Sequence, residues 1–111
     1  MEWTTIPESH RYVTRHIQEC KSLQCLEGGF DTSHLSFLHG GAVENRFNAA
    51  PGRDEIIPED FGFVAGTGRN LEDGSTFWTA AAMLMPFHKL IPSDPIAAHV
   101  WAPVDDENTM L

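Results

Sequence analysis

The sequence predicts an α+β chain, with helical elements first and antiparallel strands after them. Three observations carry that expectation. Apolar residues recur at three- and four-residue steps between Arg11 and Leu26, and glycine pairs punctuate the chain at Gly28-Gly29 and Gly40-Gly41. From Phe61 onward, aromatic-rich runs alternate with turn signals.

Residues 1–10 hold a proline and few periodic apolar positions, and read as an extended lead-in. Tyr12, Val13, Ile17, Cys20, Leu23 and Leu26 suggest a strand end running into a helix, which Gly28-Gly29 is expected to break. Asp31 or Thr32 then caps a second helix of one to two turns, and Gly40-Gly41 stops it. Residues 42–60, with Pro51-Gly52, Pro58 and scattered charges, read as an irregular connection. Phe61 to Ala65 is the first expected strand, Asn70 to Gly74 a turn ending in Asp-Gly, and Ser75 to Met85 a long second strand. Ile96 to Val104 is the third. Asp105 to Asn108 is a polar turn or strand exit, after which Thr109-Met110-Leu111 begins a new apolar stretch.

The 111 residues amount to one small domain or a piece of a larger one, and a hydrophobic fraction of 41% with seven Phe and three Trp suits a core-forming chain. Sixteen acids against seven Lys and Arg give a formal charge of −9, which argues against a nucleic-acid surface, since phosphate contacts need clustered cations. The longest near-apolar run, Phe77 to Phe87, is about half of what spans a bilayer, so no membrane association is expected. Met1-Glu2-Trp3 is not followed by the basic and apolar stretches of a secretory signal. Cys20 and Cys25 are the only cysteines; on one helix they would sit roughly 7.5 Å apart along the axis, too far to bridge. Reduced thiols and a cytoplasmic location follow from that reading.

The informative spacing is Asp31-x2-His34-x4-His39. Asp31 and His34 are neighbours on one helical turn, and a carboxylate beside Nδ1–H leaves Nε2 free for a metal. His34 and His39 would diverge by about 140° on a regular helix, but a helix ending at His39 can bring them together. Two imidazoles with a carboxylate and open positions form the ligand set of oxygen-activating ferrous iron. A lone histidine near an apolar face is more often a packed core residue, and the other four histidines are read that way, although His88 or His99 could face a cavity.

The stretch Gln24-Cys25-Leu26-Glu27-Gly28-Gly29-Phe30-Asp31-Thr32-Ser33-His34-Leu35-Ser36-Phe37-Leu38-His39 resembles the iron-binding segment of the large (alpha) subunits of Rieske non-haem iron ring-hydroxylating oxygenases, nearest the phthalate and phenoxybenzoate dioxygenase branch. The resemblance runs on through Pro7 to Val13, Asp60-Phe61-Gly62-Phe63, Leu84-Met85-Pro86-Phe87 and Trp101 to Thr109. It implies a helix-grip catalytic domain, a curved antiparallel sheet around a long helix with a deep apolar cavity. His34 and His39 would then be ligands of a mononuclear Fe(II), and Asp31 the acid that relays electrons from a Rieske histidine of a neighbouring subunit. It implies further a 2Fe-2S Rieske cluster in an N-terminal domain, a reductase or ferredoxin donor, a homotrimer, and an aromatic substrate with O2. The reaction would be ring hydroxylation or O-demethylation. Phe30 and Leu35, beside the expected ligands, are the candidate pocket residues.

Three departures shape the expectation. No Cys-x-His and Cys-x-x-His pair is present, the family's third, carboxylate iron ligand has no counterpart, and Lys21-Ser22 stands where the family usually has Asn-Trp. Residues 1–111 are therefore expected to be part of a catalytic domain, inactive as an isolated fragment. Two other functions compete. One is a helix-grip module that binds an apolar ligand without metal chemistry, its cavity lined by Phe77 to Met85, for which plain core packing is the simpler reading. The other, ranked last, is a structural zinc site on His34 and His39, which lacks two further ligands.

Overall fold

The computed structural model describes residues 5–39, 49, 51–91 and 97–111. After a 3-10 turn at Glu8–His10, the chain forms β1 (Ile17–Gln18), α1 (Ser22–Phe30) and α2 (His34–Leu38). Then come β2 (Pro51–Glu59), β3 (Gly62–Asn70), β4 (Thr76–Leu84), β5 (His88–Ile91), β6 (Ala97–Val100), β7 (Ala102–Pro103) and β8 (Thr109–Met110). Five strands build one antiparallel sheet in the order β2-β3-β4-β5-β6, and β1-β8-β7 form a smaller one. This is the expected α+β class with antiparallel sheets, and it fits a helix-grip design. No helix among the described residues is long and apolar enough to cross a membrane.

Helix α1 forms because Ser22, Cys25, Leu26, Gly29 and Phe30 recur at helical spacing, and these are the partly buried positions while Leu23, Gln24, Glu27 and Gly28 are exposed. The glycine pair does not break it. The helix runs through Gly28-Gly29 to Phe30 and ends where Asp31 turns extended at φ −64, ψ 118. Gly29 lies in the inward stripe against the Trp101 indole, and a β-carbon there would collide with the ring. Close approach, not helix breaking, is the purpose of that glycine. Helix α2 starts after Ser33, and neither Asp31 nor Thr32 is its capping residue. The expected stop at Gly40-Gly41 lies outside the described residues.

The 42–60 connection is corrected as well. Its described portion contains β2, a nine-residue strand paired with β3 from Pro51↔Arg69 to Glu59↔Gly62. Prolines mislead here because β2 is an edge strand, where a missing N–H is tolerated on the open side. Strands β3 and β4, also nine residues each, pair tightly in register and are joined by the expected turn, where Gly74 takes φ +83. The third expected strand splits at Trp101: β6 closes the large sheet, and β7 belongs to the small one.

Register fixes the two faces of the sheet. Phe63 faces Met83, Ala65 faces Ala81 and Thr67 faces Thr79 across β3 and β4; Met83 then faces Lys89, and Lys89 faces His99. With a period of two, these residues share the face turned toward α1 and α2. The core is thin. Met83 and Trp101 are the buried apolar side chains among the described residues, joined by the polar Thr67, Arg69 and Thr109. On the opposite face Trp78 lies over Gly66 and Gly68, replacing the side chains those glycines lack.

Candidate metal centre

The segment from Asp31 to His39 is set by local chemistry and clamped by the sheet. Asp31 Oδ1 accepts from the backbone N–H of Ser33 at 2.8 Å and from the Ser33 hydroxyl, a turn that aims the chain into α2. His34 opens α2, and its Nδ1 lies 3.7 Å from Asp31 Oδ2. His39 caps the other end at φ −105, ψ 8, so the chain leaves the helical path at that residue. The divergence of a five-residue spacing is thereby removed. The two imidazole rings stand 5.4 Å apart, inclined at 68°.

Two imidazoles that bind one ion at roughly 2.1 Å, with angles near 90–110°, hold their centres about 4.6–5.3 Å apart. The observed 5.4 Å lies just above that range, so a small approach of either ring brings the pair to two sites of one ion. Among the described residues no third His, Cys, Asp or Glu completes a metal cage. Asp31 stands beside His34 and not opposite it. Ser33, through its hydroxyl and then its N–H, holds the Asp31 carboxyl below the usual carboxylate range, with a smaller pull from His34. Asp31 is thus an anion at neutral pH, with a side chain 48% exposed.

Sheet residues far along the chain hold this segment. Arg69, fully buried, donates from Nη2 to the Thr32 carbonyl at 2.7 Å and from Nη1 to the Ala49 carbonyl at 2.6 Å. Burial pushes its pKa down, and the Asp54 charge pulls it back. Thr32 donates its hydroxyl to Thr67 at 3.3 Å, and Thr67 donates to Asp54 at 2.7 Å.

Between the helices and the sheet lies a cavity of about 590 Å³. Phe30, Leu35, Ala65, Ala81, Ile91 and Trp101 supply apolar wall, so both candidate pocket residues line it. So do Asp31, His34 and His39. From β4, Thr79 and Ala81 face the cavity, and Trp78 and Ala80 face away. Sequence reasoning missed Lys89, which enters the cavity from β5 and donates to the Gly29 carbonyl, with its ammonium 5.0 Å from the Phe30 ring centre. Burial lowers the Lys89 pKa. His99 also lines the cavity, 5.1 Å edge-on to Trp101, its pKa lowered by burial and then by Lys89 and His16. The signal for Lys89 was a lone cation inside a short apolar run after Pro86-Phe87. Cys20 precedes α1, so the axial separation of a shared helix does not apply: its sulfur is 3.1 Å from that of Cys25, and both are free thiols.

Across its full length the chain is 31% identical, over 125 aligned positions, to the oxygenase subunit of 3-chlorobenzoate-3,4-dioxygenase from Comamonas testosteroni. The match covers 29% of that protein, so the chain spans less than a third of the curated relative. No family model matches. The likeness supports a relationship to oxygenase subunits of the Rieske type, at the level of aromatic dioxygenases.

Proposed function

We propose that this chain is the histidine-bearing part of the catalytic domain of a Rieske-type oxygenase, from the phthalate and phenoxybenzoate branch. The full-length protein inserts oxygen from O2 into an aromatic substrate by ring hydroxylation or O-demethylation at a mononuclear Fe(II). One observation carries the reading. His34 and His39, five residues apart, stand with their rings 5.4 Å from each other on the wall of a largely apolar cavity.

His34 and His39 would hold the ion through imidazole nitrogens, with a carboxylate as third ligand. When bound, the ferrous ion supplies the activation of dioxygen. The chain's own residues position and protect. Asp31 keeps the His34 Nδ1 side polar, and on its half-exposed side a histidine ligating the 2Fe-2S cluster of a neighbouring subunit would meet it in a homotrimer. A reductase or ferredoxin would supply that cluster with electrons. Phe30 and Leu35 present apolar surface to an aromatic ring and exclude water from it. The relative is named for 3-chlorobenzoate, an aromatic acid, and we extend that substrate class to this chain.

Iron content of the full-length gene product tests the assignment. His34→Ala and His39→Ala should each strip most of the iron. Unchanged occupancy in both variants would sink it and leave a helix-grip module that binds an apolar ligand without a metal.

A further inference from the structure

The Lys89 ammonium is placed oddly for a structural cation. It comes off β5 on the face shared with Met83 and His99, and its side chain crosses the cavity to the Gly29 carbonyl. An ammonium has three donors and that carbonyl takes one. Among the described residues no carboxylate lies within ion-pair distance of Lys89. Among the described residues the one acidic side chain on the cavity wall is Asp31, already engaged by Ser33 and beside His34. A chain of net charge −9 thus lines its cavity, among the described residues, with a lysine, three histidines and a single acid.

We propose that Lys89, with His99 beside it across the β5–β6 ladder, is the anchor for the carboxylate of an aromatic acid whose ring lies against Phe30. The proposal rests on the reading above for the identity of the cavity, and it adds the residues that select an anion. Three features favour it. A half-buried cation with no counter-ion among the described residues is costly, and an incoming carboxylate relieves that cost while forming charge-assisted hydrogen bonds. Burial has already lowered the Lys89 pKa, so an anion beside it restores the charged form. Phe30 lies 5.0 Å from the ammonium, so apolar ring surface adjoins the cation, as an aromatic acid requires. The competing role is purely structural. Gly29 belongs to the last turn of α1, and a lysine donating to its carbonyl satisfies a helix end.

Binding of benzoate and of benzamide, its uncharged isostere, to the full-length gene product separates the two roles by calorimetry. The wild type should bind benzoate at least tenfold more tightly than benzamide. Lys89→Met should abolish that preference, weakening benzoate at least tenfold more than benzamide, and Lys89→Arg should keep most of it. Lys89→Gln, which still reaches the Gly29 carbonyl, should lose the preference while melting like the wild type. The anchor is overturned if the wild type shows no preference, if Lys89→Met weakens both probes equally, or if Lys89→Gln retains the preference. Iron content is read in the same samples. Histidine-dependent iron with no benzoate preference removes the anchor alone. Lysine-dependent benzoate binding with histidine-independent iron removes the metal assignment alone.

Discussion

The helical layer and the strand layer differ in how they are held. Neither α1 nor α2 contains a buried residue, whereas β3 and β4 carry Thr67, Gly68, Arg69 and Met83 in the interior. The chemistry-bearing groups Asp31, His34 and His39 sit on the loosely held layer. Their positions depend on strand residues that reach across: Arg69 to Thr32, Lys89 to Gly29, and Trp101 into the space beside Gly29. A five-residue helix such as α2 has no independent stability in water. The difference teaches that the histidine pair is a tertiary product, although its residues are local in sequence.

The strongest way to break that dependence is at Arg69. Arg69→Met would leave the Thr32 and Ala49 carbonyls without their donor and should cost about 3 kcal/mol in urea unfolding. It should also reduce iron occupancy, and wild-type occupancy would mean that the helical layer stands on its own. The glycine pair offers a sharper contrast. Gly29→Ala should destabilise by about 1–3 kcal/mol, because its methyl group meets the Trp101 indole. Gly28→Ala points into open space and should stabilise by roughly 0.5–1 kcal/mol. Equal melting shifts for the two would show that the indole does not pack as described.

The smallest effect is in pH. Ser33 lowers the Asp31 pKa in the folded chain, so the stabilisation is fully present above the ordinary carboxylate pKa of about 4 and is lost as pH falls through the depressed value. Ser33→Ala should therefore flatten the acid limb of the stability profile by slightly lowering stability at neutral pH, a small loss because Asp31 is half exposed. A variant whose acid limb matches the wild type would show that the Ser33 turn does not hold the carboxylate.

Much of the fold was legible where the signal was local. A helix reaching Leu26, the Asp-Gly turn at Gly74 and the long aromatic strand β4 follow from spacing and turn chemistry alone, although Leu23, part of the expected stripe, is exposed. What stayed hidden depends on contacts distant in sequence. Nothing near Gly29 announces that Trp101 will occupy the space beside it, so a glycine pair reads as a helix stop. Pro51 and Pro58 read as loop residues until β2 is known to be an edge. The five-residue histidine spacing was legible as a candidate pair, because a helix end at His39 was its stated condition, and the structure places that end at His39 itself. Lys89 was not legible, since which face a four-residue strand turns inward is decided by its neighbours.

Arg69 has one more consequence, in polymer terms. The two carbonyls it grips, Thr32 and Ala49, are seventeen residues apart, so one guanidinium closes a ring of chain that contains both His34 and His39. The entropy of closing such a ring grows only with the logarithm of its length, about 0.6 kcal/mol for each doubling. Residues can therefore be added to or removed from that ring at little expense, provided its clasp is kept. Where the histidines stand is set by the clasp and not by the length of chain it encloses.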